Sequence, residues 1–174
     1  MRRLSIPAGI VALLAAGFVT APIAQGKPKQ GGVVTKNGRV GPFQTGKTTA
    51  GYVKTRLGRP TSDRRYHPEF GSAYRVLRYR CGNRNSFFYF DGRGRLSNFQ
   101  TRCGSWYTPA GTAVGDGYEE AADTEGREPE APVCGDGMVI TASSRRATLF
   151  VTFREEDSAV WVLAVAGDNN VLTC

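Results

Sequence analysis

The sequence predicts an α+β fold: a tandem repeat of two αβββ units with an antiparallel sheet and short helices packed on one face. Two observations predict it. Each half of the chain runs from a helix-type segment into segments that alternate with period two, as strands do. The turn residues also recur in order, because Gly58 and Pro60 in the first half correspond to Gly126 and Pro129 in the second. Such recurrence indicates an internal repeat.

The first unit, residues 41–104, begins with a predicted helix over residues 48–57. The hydroxyl of Thr48 or Thr49 can accept a hydrogen bond from a free backbone N–H group at the helix start. Gly58 and Pro60 then end the helix in the order that helix termini favour. The apolar face of this helix comprises Ala50, Val53 and Leu57.

Strand patterns follow this helix. Residues 61–71 are polar and are predicted to form a loop. From Tyr74 onward, apolar residues alternate with arginines, as in a strand with one solvated face. Residues 87–90 are four consecutive aromatic residues and predict a strand buried on both faces or nearly so. A hairpin turn at residues 91–94 leads into a returning strand over residues 96–101.

The second unit, residues 105–174, has the same order in weaker form. An acidic helix is predicted over residues 116–124, ending at Gly126, and acids in its first turn suit the helix dipole. Three strand segments follow, over residues 138–142, 147–153 and 159–166. Ahead of both units, residues 27–40 are predicted as a lead-in with a turn at Asn37-Gly38.

The order of a glycine, a short helix, Gly58-x-Pro60 and strands ending in an aromatic–Asp–Gly turn is similar to BamE-like (SmpA/OmlA) modules. It also resembles the tandem β-lactamase-inhibitory-protein-like fold. Val53 and Leu57 fit the helix motif of those families, whereas Lys47 stands where methionine is usual and Ala121 replaces the valine of the second helix. The resemblance covers residues 41–166 and implies a binding or scaffolding module rather than an enzyme.

The N-terminal residues 1–26 have the order of a secretory signal peptide. Arg2 and Arg3 precede a mostly apolar run over residues 4–19, and small residues up to Gly26 follow. Proline and glycine interrupt the apolar run, which favours a cleaved signal over a membrane anchor of about 20 apolar residues. We therefore expect an exported protein, extracellular or in the cell envelope, with no transmembrane segment after cleavage.

The chain has four cysteines and one histidine. An even number of cysteines in an exported chain predicts two disulfides. Three pairings are possible, and the local pairing Cys81–Cys103 with Cys134–Cys174 is favoured because each half holds two cysteines. The spacing C-x-x-C is absent from the sequence, so we expect no metal site and no cofactor.

Charge divides the chain in two. Residues 27–110 carry 17 Lys and Arg against three acids, and residues 111–174 carry four Arg against 12 acids. Alternate strand residues share a face, so Arg78 and Arg80 are predicted to join Arg93 or Arg95 in one basic patch that binds an anionic partner. Two alternatives stay open: the arginines keep the protein soluble, or the two halves neutralise each other.

Residues 41–48 match the P-loop pattern G-x-x-x-x-G-K-S/T, in which backbone N–H groups surround phosphates. A P-loop needs a buried strand before its first glycine, and only Val40 is apolar there. We interpret the segment as a turn leading into a capped helix, with Lys47 as a surface charge. His67 has no nucleophile signature beside it and is interpreted as a solvated loop residue.

These patterns predict a non-catalytic binding module for an envelope or secreted protein or for an anionic envelope polymer. An inhibitor of a secreted enzyme is the alternative, and a hydrolase with a dispersed carboxylate site is the second alternative. Aromatic residues among arginines are also typical of base-stacking surfaces. An exported protein seldom meets nucleic acid, however, so no nucleic-acid partner is expected.

Overall fold

The computed structural model describes residues 31–67, 74–130, 137–154 and 159–167. Eleven strands and two helices occur in these residues. In chain order they are β1 (Gly32–Val33), β2 (Arg39–Val40), β3 (Phe43–Gln44), α1 (Ala50–Leu57), β4 (Ser62–Tyr66), β5 (Tyr74–Cys81), β6 (Arg84–Phe90), β7 (Leu96–Thr101), β8 (Trp106–Tyr107), α2 (Tyr118–Glu125), β9 (Met138–Ser143), β10 (Ala147–Arg154) and β11 (Ala159–Gly167).

The predicted α+β tandem of two αβββ units is wrong. The described part of the chain is mostly sheet, and its two helices have eight residues each. Seven strands form one antiparallel sheet in the order β4-β5-β6-β7-β11-β10-β9. The two halves share this sheet because β7 pairs with β11, with Phe99 opposite Val165. Period-two patterns identify strand residues, but they do not tell which strands pair.

A further difference lies in β4. Its residues were predicted as part of a polar loop, yet Ser62–Tyr66 pairs with β5 along its whole length. The strand lies at the sheet edge, and four of its five residues are exposed. An edge strand of this kind has no apolar alternation, because neither of its faces contributes to the core.

Helix α1 confirms the predicted start and end. The Thr49 hydroxyl accepts a hydrogen bond from the backbone N–H of Tyr52 at 3.3 Å. Gly58 ends the helix with φ of 78°, a conformation that glycine adopts without strain. Helix α2 likewise ends at Gly126 and carries Glu119 and Glu120 in its first turn, as predicted.

Both helices pack on the same face of the sheet. Val53 of α1 lies in one core cluster, in which the ring of Phe88 contacts other aromatic rings. Ala121 of α2 lies in a second cluster with Phe153 and Leu163 of β10 and β11. The rings around Phe88 are those of Phe43, Tyr79, Phe99 and Trp106. The lead-in also joins this core, through the fully buried side chain of Val34.

The disulfide Cys81–Cys103 is confirmed. It links the end of β5 to the residue two positions beyond β7, and so spans the intervening strand β6.

The turn predicted at Asn37-Gly38 is also confirmed, since Gly38 has φ of 79° and its N–H donates to the Thr35 carbonyl at 3.0 Å. The predicted Cys134–Cys174 disulfide and the signal-type residues 1–26 lie outside the described residues. No helix within the described ranges is long and apolar enough to cross a membrane.

Candidate binding face

One face of the sheet looks away from the two helices. The register shows which residues lie on it, because Leu77 opposite Phe88 lies in the core and the neighbouring pair Val76 and Tyr89 therefore points the other way. We call the outward positions of β4 to β7 the outer face. It comprises Ser62, Arg64, Tyr66, Tyr74, Val76, Arg78, Arg80, Asn85, Phe87, Tyr89, Asn98 and Gln100.

Three tyrosines cluster on the outer face. Tyr66 and Tyr74 lie opposite each other on β4 and β5, and their rings are stacked with centroids 4.9 Å apart. Tyr89 on β6 is more buried, and its hydroxyl donates to Gln100 Oε1 at 3.3 Å. Burial raises the pKa of Tyr89, and the ionised forms of Tyr74 and Tyr66 raise it further. The tyrosines therefore place aromatic side chains on three neighbouring strands of the outer face.

The charges on the outer face are all positive. Arg64, Arg78 and Arg80 occupy outward positions, and no Asp or Glu does so on β4 to β7. Arg64 and Arg80 are exposed, whereas Arg78 is half-buried opposite Phe87. The outer face therefore combines cationic and aromatic side chains without a carboxylate of its own.

Three buried polar atoms on the outer face lack a hydrogen-bond partner among the described residues. They are Arg78 Nε, Asn85 Oδ1 and Asn98 Oδ1. Buried polar atoms in folded proteins nearly always pair with protein or ordered water. These three atoms lie beneath the surface on neighbouring strands, so the polar groups of the outer face are only partly paired within the sheet.

The carboxylate of β4 is already neutralised. Asp63 on β4 accepts two hydrogen bonds from the Arg75 guanidinium, each 2.7 Å long, and its Oδ2 lies 2.5 Å from Lys54 Nζ of α1. The Arg75 hydrogen bonds lower the pKa of Asp63 to about 2, with Lys54 adding to this effect and burial opposing it. This ion pair links α1 to the sheet edge. Because Arg75 and Lys54 compensate the negative charge of Asp63, that charge does not neutralise the arginines of the outer face.

The four arginines predicted to form one patch lie in two separate places. Arg78 and Arg80 share the outer face of β5, and Arg80 lies opposite Asn85. Arg93 and Arg95 lie in the turn after Phe90. At 3.3 Å per residue, Phe90 lies about 17 Å along β6 from Asn85, the partner of Arg80, and about 10 Å from Phe87, the partner of Arg78. The Arg95 guanidinium donates to the Lys47 carbonyl at 2.7 Å. The register thus separates the predicted patch into two pairs.

Sequence reasoning missed the tyrosine cluster. Residues 87–90 were predicted to be buried on both faces or nearly so, yet only Phe88 and Phe90 are fully buried. Phe87 and Tyr89 are half-buried on the outer face. The run of four aromatic residues hides this alternation, and the pairing of Tyr66 with Tyr74 needs the strand β4 that was predicted as loop.

The P-loop-like segment forms a hairpin and a turn. Strand β3 lies within it and pairs with β2, which directly precedes it, and the chain then enters the Thr49-capped helix, which confirms the predicted turn and capped helix. Its backbone N–H groups already form hydrogen bonds within the protein: that of Gly46 donates to the Leu96 carbonyl, and those of Lys47 and Thr48 donate to the Gln44 carbonyl.

His67 is exposed directly after β4. In the residues that the structure describes, no group of three or more His, Cys, Asp or Glu side chains could hold a metal ion.

No protein-family model matches the chain. No curated protein matches it either. Two solved structures have a similar fold. The first is a DUF4309 family protein, YjgB, from Bacillus subtilis, with a TM-score of 0.50, 16% identity, and coverage of 73% of this chain and 83% of that chain.

The second is an extracellular protein containing a SCP domain from Bacillus anthracis. It has a TM-score of 0.51 and 10% identity, with coverage of 71% of this chain. The chain spans 44% of that structure's length. At these identities the similarity shows the fold alone. The resemblance to BamE-like and β-lactamase-inhibitory-protein-like modules stays a prediction.

Proposed function

We propose that the protein is an exported, non-catalytic binding module that holds an acidic partner protein on the outer face. One observation carries the proposal. The outward positions of β4, β5 and β6 present three arginines and three tyrosines, with no carboxylate among them. A sheet face of this kind is a broad, rigid surface suited to binding another macromolecule.

The residue types favour a protein partner over a polymer. Protein interfaces are enriched in tyrosine, phenylalanine and arginine, and they are depleted in lysine, glutamate and aspartate. The outer face follows this preference, because it has arginines but no lysine. Tyrosine and arginine are also the residues that most often dominate binding energy.

The charge of the outer face favours an acidic partner. Arginine binds carboxylates with two parallel hydrogen bonds, which gives both attraction and orientation. Asp63, the carboxylate of β4, is held by Arg75 and Lys54 and does not neutralise the outer arginines. An acidic surface would supply the opposite charge, and its carboxylates could pair with the exposed guanidinium groups of Arg64 and Arg80.

Three observations support export. The N-terminal residues have the order of a signal peptide. The Cys81–Cys103 disulfide is typical of oxidising compartments. One structural neighbour is described as extracellular, and all three observations are compatible with export.

The experiment is affinity capture from secreted and envelope fractions with the oxidised protein as bait. Two test variants change the outer face: Arg64→Gln with Arg80→Gln, and Tyr66→Ser with Tyr74→Ser. The matched control, Arg56→Gln with Arg59→Gln, removes the same charge from exposed positions on the α1 side. We expect one acidic protein to bind the wild type and the control at high salt and to be lost from both test variants.

Two results would contradict the proposal. Capture of an anionic polymer alone, lost as salt rises, would show electrostatic adhesion instead of protein binding. A captured protein that both test variants retain would place its contact elsewhere on the molecule.

A further inference from the structure

A second site lies at one end of the sheet, where the β6–β7 and β9–β10 turns meet. A cleft of about 350 Å³ opens there between the two halves of the chain. One wall is the segment Gln44 to Lys47 that leads into α1. The others come from Asp91, Leu96 and Ser97 at the β6–β7 turn and from Arg146 and Gly167 of the second half.

We propose that this cleft binds a small hydroxylated oxyanion, such as a sugar acid or a sugar phosphate. Its volume lies in the range of about 300–1,000 Å³ that small-molecule sites occupy. The proposal is independent of the partner proposed for the outer face, because the cleft is lined by different residues.

Two cations that line the cleft would hold the oxyanion. Lys47 and Arg146 both line the cleft, and neither forms an ion pair within the part of the chain that the structure describes. They come from positions 99 residues apart in the sequence, so the fold brings them together. Arg95 places a third positive charge beside them, since its guanidinium donates to the Lys47 carbonyl.

The hydroxyl groups of the ligand would meet Asp91 and Ser97. Oδ1 of Asp91 accepts hydrogen bonds from the backbone N–H groups of Arg93 and Arg95 at 3.0 and 2.8 Å. This leaves Oδ2 as an acceptor for a hydroxyl donor. The Ser97 hydroxyl donates to the Tyr89 carbonyl at 3.2 Å and can accept a second hydrogen bond. A cation pair with acceptors beside it matches an anion that also carries hydroxyls.

Gly167 lines the cleft without a side chain. A Cβ atom there would lie 2.9 Å from the Ser97 carbonyl oxygen, so the close approach of β11 to β7 requires glycine.

The positive charge at this end of the cleft comes from the Lys47 side chain, and the backbone around Lys47 does not form the phosphate-binding loop of a P-loop. The backbone N–H groups of Gly46, Lys47 and Thr48 already donate to carbonyls of Leu96 and Gln44. The site therefore depends on side-chain cations, unlike a nucleotide-binding loop.

The test is an NMR titration of the oxidised protein with glucuronate, glucose 6-phosphate, glucose and inorganic phosphate. We expect the two sugar oxyanions to shift the amide signals of the cleft and to bind more tightly than glucose or phosphate. Lys47→Gln and Arg146→Gln should each weaken binding about threefold to tenfold, the loss expected for one charge-assisted hydrogen bond at a partly exposed site. Arg145→Gln changes an exposed arginine of the same turn that does not line the cleft, and it should leave binding unchanged.

Binding of glucuronate but not glucose 6-phosphate, or the reverse, would support the site and identify the oxyanion it takes. Equal affinity for inorganic phosphate and glucose 6-phosphate would overturn the role of Asp91 and Ser97. No shift of cleft amides with either sugar oxyanion, or equal loss of binding in Arg145→Gln, would overturn the site itself.

Discussion

Tyr66 and Tyr74 stack across β4 and β5 with ring centroids 4.9 Å apart and 15° between the ring planes. Both side chains remain accessible, with 40% and 38% of their surface exposed. A stacked but exposed pair gives a rigid aromatic surface at low entropic cost to a partner, because each ring already restricts the other. The pair lies beside Arg64 and Tyr89, so it connects the cationic and aromatic parts of the outer face.

The first prediction concerns Tyr89. The pKa of Tyr89 is raised chiefly by burial and then by the charges of Tyr74 and Tyr66, so Tyr89 should ionise at a pH above its ordinary pKa. Replacing both with phenylalanine removes their charge but keeps most of the burial. The pKa of Tyr89 should then fall towards, but stay above, its ordinary value of 10.0. NMR titration of tyrosine ring carbons measures this, and an unshifted Tyr89 in the wild type would show that its ring is solvated.

The second prediction concerns the Asp63 ion pair. The pKa of Asp63, about 2, lies below the ordinary value of 3.8. The ion pair therefore stabilises the fold above pH 3.8, and this contribution is lost as pH falls towards 2. Asp63→Asn should lower the free energy of unfolding at neutral pH by about 1 kcal/mol, a modest value because the pair is partly exposed. The wild type and the variant should converge in urea denaturation between pH 4 and pH 2. A difference that persists at pH 2 would assign the loss to packing instead.

Some of the fold was predictable because its causes are local. The Thr49 cap, Val53 and Gly58 define α1 within ten residues, and the hairpin at residues 91–94 follows from its turn residues. Strand pairing between distant segments has no such local cause. The pairing of β7 with β11 therefore escaped prediction, and with it the single sheet that makes the tandem of separate units wrong.

The candidate site was predictable only in part, for the same reason. Alternation predicted that Arg78 and Arg80 share a face, and the structure places them so. The position of Arg93 and Arg95 depends on the register of β5 against β6, which the sequence pattern does not determine. Tyr66 belongs to an edge strand whose only signal is its pairing with β5.

The third prediction concerns the Cys81–Cys103 disulfide. The two cysteines are 22 residues apart, and closing a loop of that length stabilises a fold by roughly 3 kcal/mol on the chain-entropy account. Replacing both cysteines with alanine should lower the free energy of unfolding by about that amount. Chemical denaturation under oxidising and reducing conditions measures this. Reduction should lower the free energy of unfolding of the wild type by more than that of the variant, because the variant lacks this disulfide.

The fourth prediction compares two adjacent phenylalanines on opposite faces of β6. Phe88 is fully buried among Phe43, Tyr79 and other rings, so Phe88→Ala should cost about 3–5 kcal/mol of stability. Phe87 is half-buried on the outer face, so Phe87→Ala should cost clearly less. Equal losses in chemical denaturation would contradict the assignment of the two faces.

The most direct test of the outer face is hydroxyl-radical footprinting of the protein alone and in complex with its captured acidic partner. Four tyrosines have similar exposure in the free protein: Tyr66 and Tyr74 on the outer face, and Tyr52 and Tyr107 elsewhere. The proposed function predicts that the oxidation rates of Tyr66 and Tyr74 fall severalfold in the complex, while those of Tyr52 and Tyr107 do not change. Protection of Tyr52 or Tyr107 with unchanged rates at Tyr66 and Tyr74 would contradict it.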